Sequence, residues 1–178
     1  MLTIREEQIE AFERRMFDAT QERVERAIAA TFPELSGKTT PGGPELVREA
    51  ALKLGAIVVR GIESAVRFDI GDGPDIAAFI ALGLALRVAP PGEVGDWISD
   101  YLKRGDTAGP TKLRMIEARL RALAADEKSL RAIAERVAQA REHSCHSGEP
   151  YSGPGRAIQA ESRPPAPASQ WDGWGLRY

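Results

Sequence analysis

Little in this chain invites chemistry. One cysteine, Cys145, stands in 178 residues. That excludes an internal disulfide framework and suits a reducing compartment. The only two histidines, His143 and His146, flank that cysteine. No histidine elsewhere can serve as base to a serine or cysteine nucleophile. No block of like charge occurs either. The 24 basic and 26 acidic residues leave a net charge of −2 and alternate in sign, so the electrostatic footprint of a nucleic-acid binder is missing. The longest apolar run, Ile76–Leu86, covers about 16 Å as a helix, short of the ~20 residues a membrane span needs. The N-terminus has no apolar stretch before a small-residue cleavage site. A secretory signal peptide is not expected, and a cytoplasmic location is.

What the chain does have is helical period. Thr3 and Glu6 have the spacing of a capping box. Ile9, Phe12, Met16, Thr20, Val24, Ala27, Ile28 and Thr31 then recur close to every 3.6 residues, and Phe17 widens the face. Phe32-Pro33 ends this helix, because the residue before proline leaves the helical region. The loop Leu35–Gly43 contains Gly37-Lys38-Thr39-Thr40, which tempts a phosphate-loop reading. That motif needs a glycine where Phe32 stands, and a strand before it, so it fails. Pro44 suits the first position of a second helix. Its stripe is Leu46, Ala50, Leu54, Ile57, Val58, Gly61, Ile62 and Ala65. The run 56–59 has strand propensity between helical flanks, and Gly61 either breaks the helix or admits a neighbouring backbone.

The turn Phe68–Gly73 leads into the most apolar stretch, Asp75–Leu86. Asp72 or Gly73 caps it, with Pro74 at its start. A calcium loop beginning at Asp69 would need glutamate where Ile80 stands. Ile76, Phe79, Ile80, Leu82, Leu84 and Leu86 keep to no single face. A helix apolar all round is a buried one, so this element is expected at the centre. Glu93–Lys103 is a short amphipathic helix with Val94, Trp97, Ile98, Tyr101 and Leu102 inward. Trp97 reads as core packing. After Gly109-Pro110 comes the longest expected helix, Thr111 to about Glu142, with Leu113, Ile116, Leu120, Leu123, Leu130, Ala134 and Val137 at 3–4 spacing and Glu127 the one interruption. That resembles a coiled-coil seam. Its second half, Lys128–Arg141, either projects as a solvated end or meets a partner or a second copy. Leu130 and Val137 are its candidate contact residues, and a homodimer through this helix is one expectation.

From Ser147 the composition turns to Gly, Pro, Ser and Ala, which cannot bury enough apolar surface to offset ordering entropy. Yet Tyr151, Trp171, Trp174 and Tyr178 lie there. Aromatics on such an arm look like a recognition peptide, with folding back over an apolar groove of the same domain as the alternative. The expected architecture is therefore all-α: a compact bundle of about five helices over residues 1–142, then an irregular tail over 143–178.

His143, Cys145 and His146 have ligand chemistry for zinc, but three so close in one segment rarely converge on one ion. A polar helix end, where histidine suits the dipole, explains them as well. The abundant carboxylates alternate with arginines and read as ion pairs rather than an acid–base pair. No cofactor and no enzyme activity are expected.

Several stretches together resemble a known group. They are Ile4-Arg5-Glu6-Glu7-Gln8 before a long helix ending Phe32-Pro33, then Gly61-Ile62, Asp75–Leu82, and Trp97-Ile98 with Leu102. The chain over about Met1–Leu123 is similar to small helical accessory proteins encoded beside spike-tip and effector genes of bacterial type VI secretion systems. It departs from them in the Gly- and Pro-rich Lys38–Gly43, in the extra Asp-Gly of Phe68–Pro74, and in the tail. The group supplies no catalytic residue. The resemblance implies a non-enzymatic adaptor or chaperone that holds an effector or spike component. An immunity protein that neutralises a toxin is the alternative, and a metal-binding protein using His143, Cys145 and His146 is a further one.

Overall fold

A computed structural model describes residues 6–36, 44–88, 94–125 and 127–146. Among them lie six α-helices, one 3-10 turn and no strand. The helices are α1 (Glu6–Thr31), α2 (Pro44–Arg67), α3 (Gly73–Val88), α4 (Val94–Lys103), α5 (Gly109–Leu123) and α6 (Lys128–His146), with the 3-10 turn at Pro33–Ser36. The expected cap at Thr3, the loop Lys38–Gly43 and the tail Ser147–Tyr178 with its four aromatics lie outside the described residues.

The all-α class is as the periodicity indicates, and α3 is its hub. Every residue from Asp75 to Leu86 is buried, which is why the run has no polar face. The carbonyl of Asp72 accepts the first helical bond, from the Ile76 amide at 2.8 Å, and Pro74 sits in the first turn. α1, α2, α5 and α6 pack around it, α6 most extensively. Small residues make that packing close: Ala77, Ala78, Ala81 and Ala85 on α3, and Ala140 and Ser144 on α6, are all buried.

α2 is continuous through Gly61. A Cβ there would fall inside the Ile80 side chain, so the glycine serves close approach of α2 to α3. The end of α2 is closed by paired turns. Ile70 N–H donates to Ala65 O at 3.0 Å, and Asp69 N–H to Val66 O at 3.0 Å, while Asp69 takes a positive φ of 61°. This is the Schellman arrangement with aspartate where glycine is commoner, and Ile70 supplies its buried apolar contact.

One expectation is corrected here. The single helix Thr111–Glu142 is two helices, α5 and α6, and the chain turns at Ala124 and Ala125 after α5. The Arg131 guanidinium donates to the Ala124 carbonyl from Nε at 3.3 Å and from Nη2 at 3.2 Å, so it caps the end of α5. The amide of Arg131 donates to the Glu127 carbonyl at 3.1 Å. Glu127, the interruption in the apolar spacing, marks the start of the new helix. α6 then folds back along α5 and fills the groove against α3 and α1. It does not project, and it runs to His146, past the expected boundary at residue 142.

Candidate partner-binding surface

α1 divides into two unlike halves. Val24, Ala27, Ile28 and Thr31 are buried against the bundle. Every residue from Glu7 to Arg15 is exposed. A Cβ placed on Gly73 would lie 3.7 Å from Arg23 Cδ and 3.8 Å from Ser144 Oγ. The start of α3, the end of α6 and Arg23 therefore meet at one end of the bundle. The part of α1 before that point, about 25 Å of helix at 1.5 Å per residue, continues past it. Ile9, Phe12 and Phe17 are 40%, 63% and 41% exposed there. The period gives α1 an apolar stripe, but among the described residues no neighbouring helix covers its first half.

α2 has a second exposed apolar row. Its core side is Leu54, Ile57, Val58, Ile62 and Ala65. The opposite side shows Leu52 at 69% and Val66 at 54% exposure, with Ala56 exposed and Val59 half-buried between them. A third patch lies on α4 and α5. Trp97 meets Tyr101 edge to face at 5.8 Å, and Arg119 lies 4.7 Å above the Trp97 ring. Arg104 covers the Tyr101 ring at 4.3 Å. Cation and ring satisfy one another here, and Trp97 packs on the core as expected.

Inside, the charged groups are paired. Arg141 on α6 donates from Nη1 to Asp75 Oδ1 on α3 and from Nη2 to Glu117 Oε1 on α5. Arg121 approaches the other Glu117 oxygen at 3.5 Å. Burial alone would lower the Arg141 pKa, but the bonds to Glu117 and Asp75 outweigh it and hold it above the ordinary value. Two carboxylates bound to one guanidinium make a structural tie between three helices rather than an acid and a base. Lys112, also buried, donates to the Leu102 carbonyl at 3.1 Å and so caps the last turn of α4. Burial pulls its ammonium below the usual range, against the pull of Asp69 and Asp106. A shallow cleft of about 390 Å³ lies at the α5–α6 turn, floored by alanines and edged by Arg121, Arg131 and Glu135.

No family model matches this chain, and neither does any curated protein or solved structure.

Of the residues singled out from the sequence, Leu130 and Val137 are core: they are 3% and 0% exposed. Their apolar spacing serves α3, α1 and α5, which corrects their role as partner contacts. His143, Cys145 and His146 end α6. Cys145 is exposed and, at 100° per residue, points about 200° away from His143. Among the described residues no three histidine, cysteine or acidic side chains gather as a metal site. Tyr151, Trp171, Trp174 and Tyr178 lie outside the described residues. The exposed first half of α1 was missed, although a signal existed. Between Glu7 and Arg15 only Ile9, Ala11 and Phe12 are apolar, whereas Val24, Ala27 and Ile28 follow within two turns. A narrow stripe belongs to a helix-pair seam and a broad one to a core.

Among the described residues, no helix is long and apolar enough to cross a membrane.

Proposed function

We propose that the chain is a non-enzymatic protein-binding accessory, an adaptor or chaperone for an effector or spike component of a type VI secretion system, in the cytoplasm. The resemblance of Met1–Leu123 supplies the secretion context. The observation that carries the binding role is the first half of α1, a helix standing clear of its bundle with Ile9, Phe12 and Phe17 exposed. An amphipathic helix with its apolar face in water is the form that helix-in-groove recognition takes. The interior supports the non-enzymatic part of the reading, since Asp75, Glu117 and Arg141 are engaged with one another. In this reading the tail aromatics Tyr151, Trp171, Trp174 and Tyr178 form a second contact, because Trp and Tyr anchor interfaces at low entropic cost.

The test is a binding titration of the full chain against the effector or spike protein encoded beside it. Phe12→Asp, and separately Trp171→Ala with Trp174→Ala, are each expected to weaken the complex by at least about tenfold, the scale of an interface anchor. A complex indifferent to both changes, or no complex at all, refutes the reading.

A further inference from the structure

The shallow cleft at the α5–α6 turn has a rim that this protein elsewhere sets against aromatic rings. Arg119 lies over Trp97 at 4.7 Å, Arg104 over Tyr101 at 4.3 Å and Arg136 over Phe32 at 4.6 Å. The cleft offers the guanidinium without the ring. Its floor is Ala124, Ala125, Ala134 and Ala138, Arg121 and Arg131 stand at its edge, and no aromatic residue lines it. Arg131 is held there by its bonds to the Ala124 carbonyl. Those bonds lie in the guanidinium plane, whereas a ring stacks on its flat face. The volume of about 390 Å³ is at the small end of the ~300–1,000 Å³ that compact ligands occupy. It suits single side chains and not a helix.

The position of the cleft narrows its occupant. α6 lines it and, at His146, leads into the tail. Arg131, Glu135, Ala138, Glu142 and Cys145 recur at 4-3-4-3 spacing, so the cleft and the root of the tail share one side of α6. Glu135, Glu142 and Cys145 are exposed, and a returning chain has a clear path along that side. Ala134 is about 18 Å from His146 at 1.5 Å per residue. Trp171 stands 25 residues beyond His146, and an arm of that length rich in Gly, Pro and Ser spans roughly 25–30 Å. Tyr151, only five residues beyond, reaches about 18 Å at full stretch, with no slack to settle. A linker close to its span holds the tethered group at an effective concentration in the millimolar range. A contact too weak to persist between molecules is then populated within one.

We propose that the segment Trp171-Asp172-Gly173-Trp174 folds back and seats an indole in this cleft of its own chain. The alanine floor takes the apolar ring, and Arg131 stacks on its face. The contact forms without an effector. A partner that engages the same aromatics must first draw them out of the cleft, so the tail is held in cis until cargo competes for it.

NMR of the full chain, with no effector present, tests it. Trp171→Ala/Trp174→Ala is expected to shift the backbone amide signals of Ala124, Ala134 and Ala138, with helical circular dichroism unchanged. The same shifts should persist on tenfold dilution, as a contact within one chain requires. From the other side, Ala138→Glu, at a half-buried position, should move the indole N–H signals of Trp171 and Trp174. The tail variant decides alone if Ala138→Glu disturbs the bundle. Four results overturn the proposal: cleft amides indifferent to the tail variant, shifts that fall on α1 or α2 instead, shifts lost on dilution, or indole signals unmoved by a folded Ala138→Glu chain. An empty cleft in a chain that still binds its effector would leave the accessory reading standing. A filled cleft in a chain with no effector complex would remove that reading and keep this one.

Discussion

α6 and the first half of α1 are much alike as peptides. Both are rich in Arg, Glu and Ala, and both place an apolar residue every three or four positions. One is the most extensively packed partner of the central helix, and the other touches little of its own chain. The difference lies in what stands opposite. α3 offers α6 a surface of small side chains, Ala77, Ala78, Ala81 and Ala85, against which a slender helix can sit close. Nothing among the described residues stands opposite Ile9 and Phe12. An apolar stripe states that a helix has a face to bury and leaves open which molecule buries it.

A matched pair of substitutions breaks the likeness most sharply. Val137 is fully buried, so Val137→Asp places an unpaired carboxylate in the core. It is expected to cost roughly 4 kcal/mol or more, enough to unfold a domain of ordinary stability. Phe12→Asp makes the same kind of change on exposed helix. It should move the unfolding free energy by less than about 0.5 kcal/mol. Chemical denaturation of both variants checks the contrast. Comparable losses would mean that the first half of α1 is packed after all.

The next largest effect separates paired from unpaired charge inside the bundle. Arg141→Met leaves Asp75 and Glu117 buried without their guanidinium, and about 3 kcal/mol of destabilisation is expected. Adding Asp75→Asn and Glu117→Gln should recover part of the loss, because the cost comes from stranded carboxylates. If the triple variant is no more stable than Arg141→Met alone, the tie matters through packing and not through charge.

These contrasts also mark what was legible in the sequence. Helix class, the buried α3 and the inward faces of α2 and α4 follow from period and composition, because those signals are local. The α5–α6 turn was hidden by its spacing. Leu120, Leu123 and Leu130 keep helical intervals across Ala124–Glu127, so an apolar seam and a hairpin read alike. Glu127 was the only visible flaw, and its meaning depends on Arg131 reaching back to the Ala124 carbonyl, a tertiary event. The surface was harder still. Exposure at Phe12 depends on which distant elements pack against α1 and not on any residue near Phe12. The aromatic tail, conspicuous in composition, lies outside the described residues.

A smaller effect probes close approach. Gly61→Ala adds a methyl group where the Ile80 side chain already stands. The obstacle is a flexible side chain and alanine favours helix by ~1 kcal/mol, so a net loss of about 1–2 kcal/mol is expected. Combining it with Ile80→Val should recover some of that loss. At Gly109, a Cβ would fall on the backbone carbonyls of Phe68 and Asp69, which cannot swing aside. Gly109→Ala should therefore cost more than Gly61→Ala. Thermal melts of the two alanine variants rank them directly.

The smallest effect concerns the middle of α6, where Arg136 lies over the Phe32 ring at 4.6 Å and donates to Glu34 at 2.7 Å. Burial would raise the Glu34 carboxyl, but the bond from Arg136, a backbone hydrogen bond and the attraction of the Arg136 charge together outweigh it and hold the pKa below its ordinary 4.5. A carboxyl whose pKa is lowered by folding adds stability above its unfolded value, and that stability is lost as pH falls through the folded one. Stability should therefore decline below about pH 4.5, and Arg136→Gln should remove the part of the slope that belongs to this pair. Both side chains are more than a third exposed or nearly so, at 49% for Glu34 and 35% for Arg136, so screening keeps the contribution under about 1 kcal/mol. If Arg136→Gln instead costs the same at pH 3 as at pH 7, the stacking of Arg136 on Phe32 is what matters here, and the ion pair adds nothing.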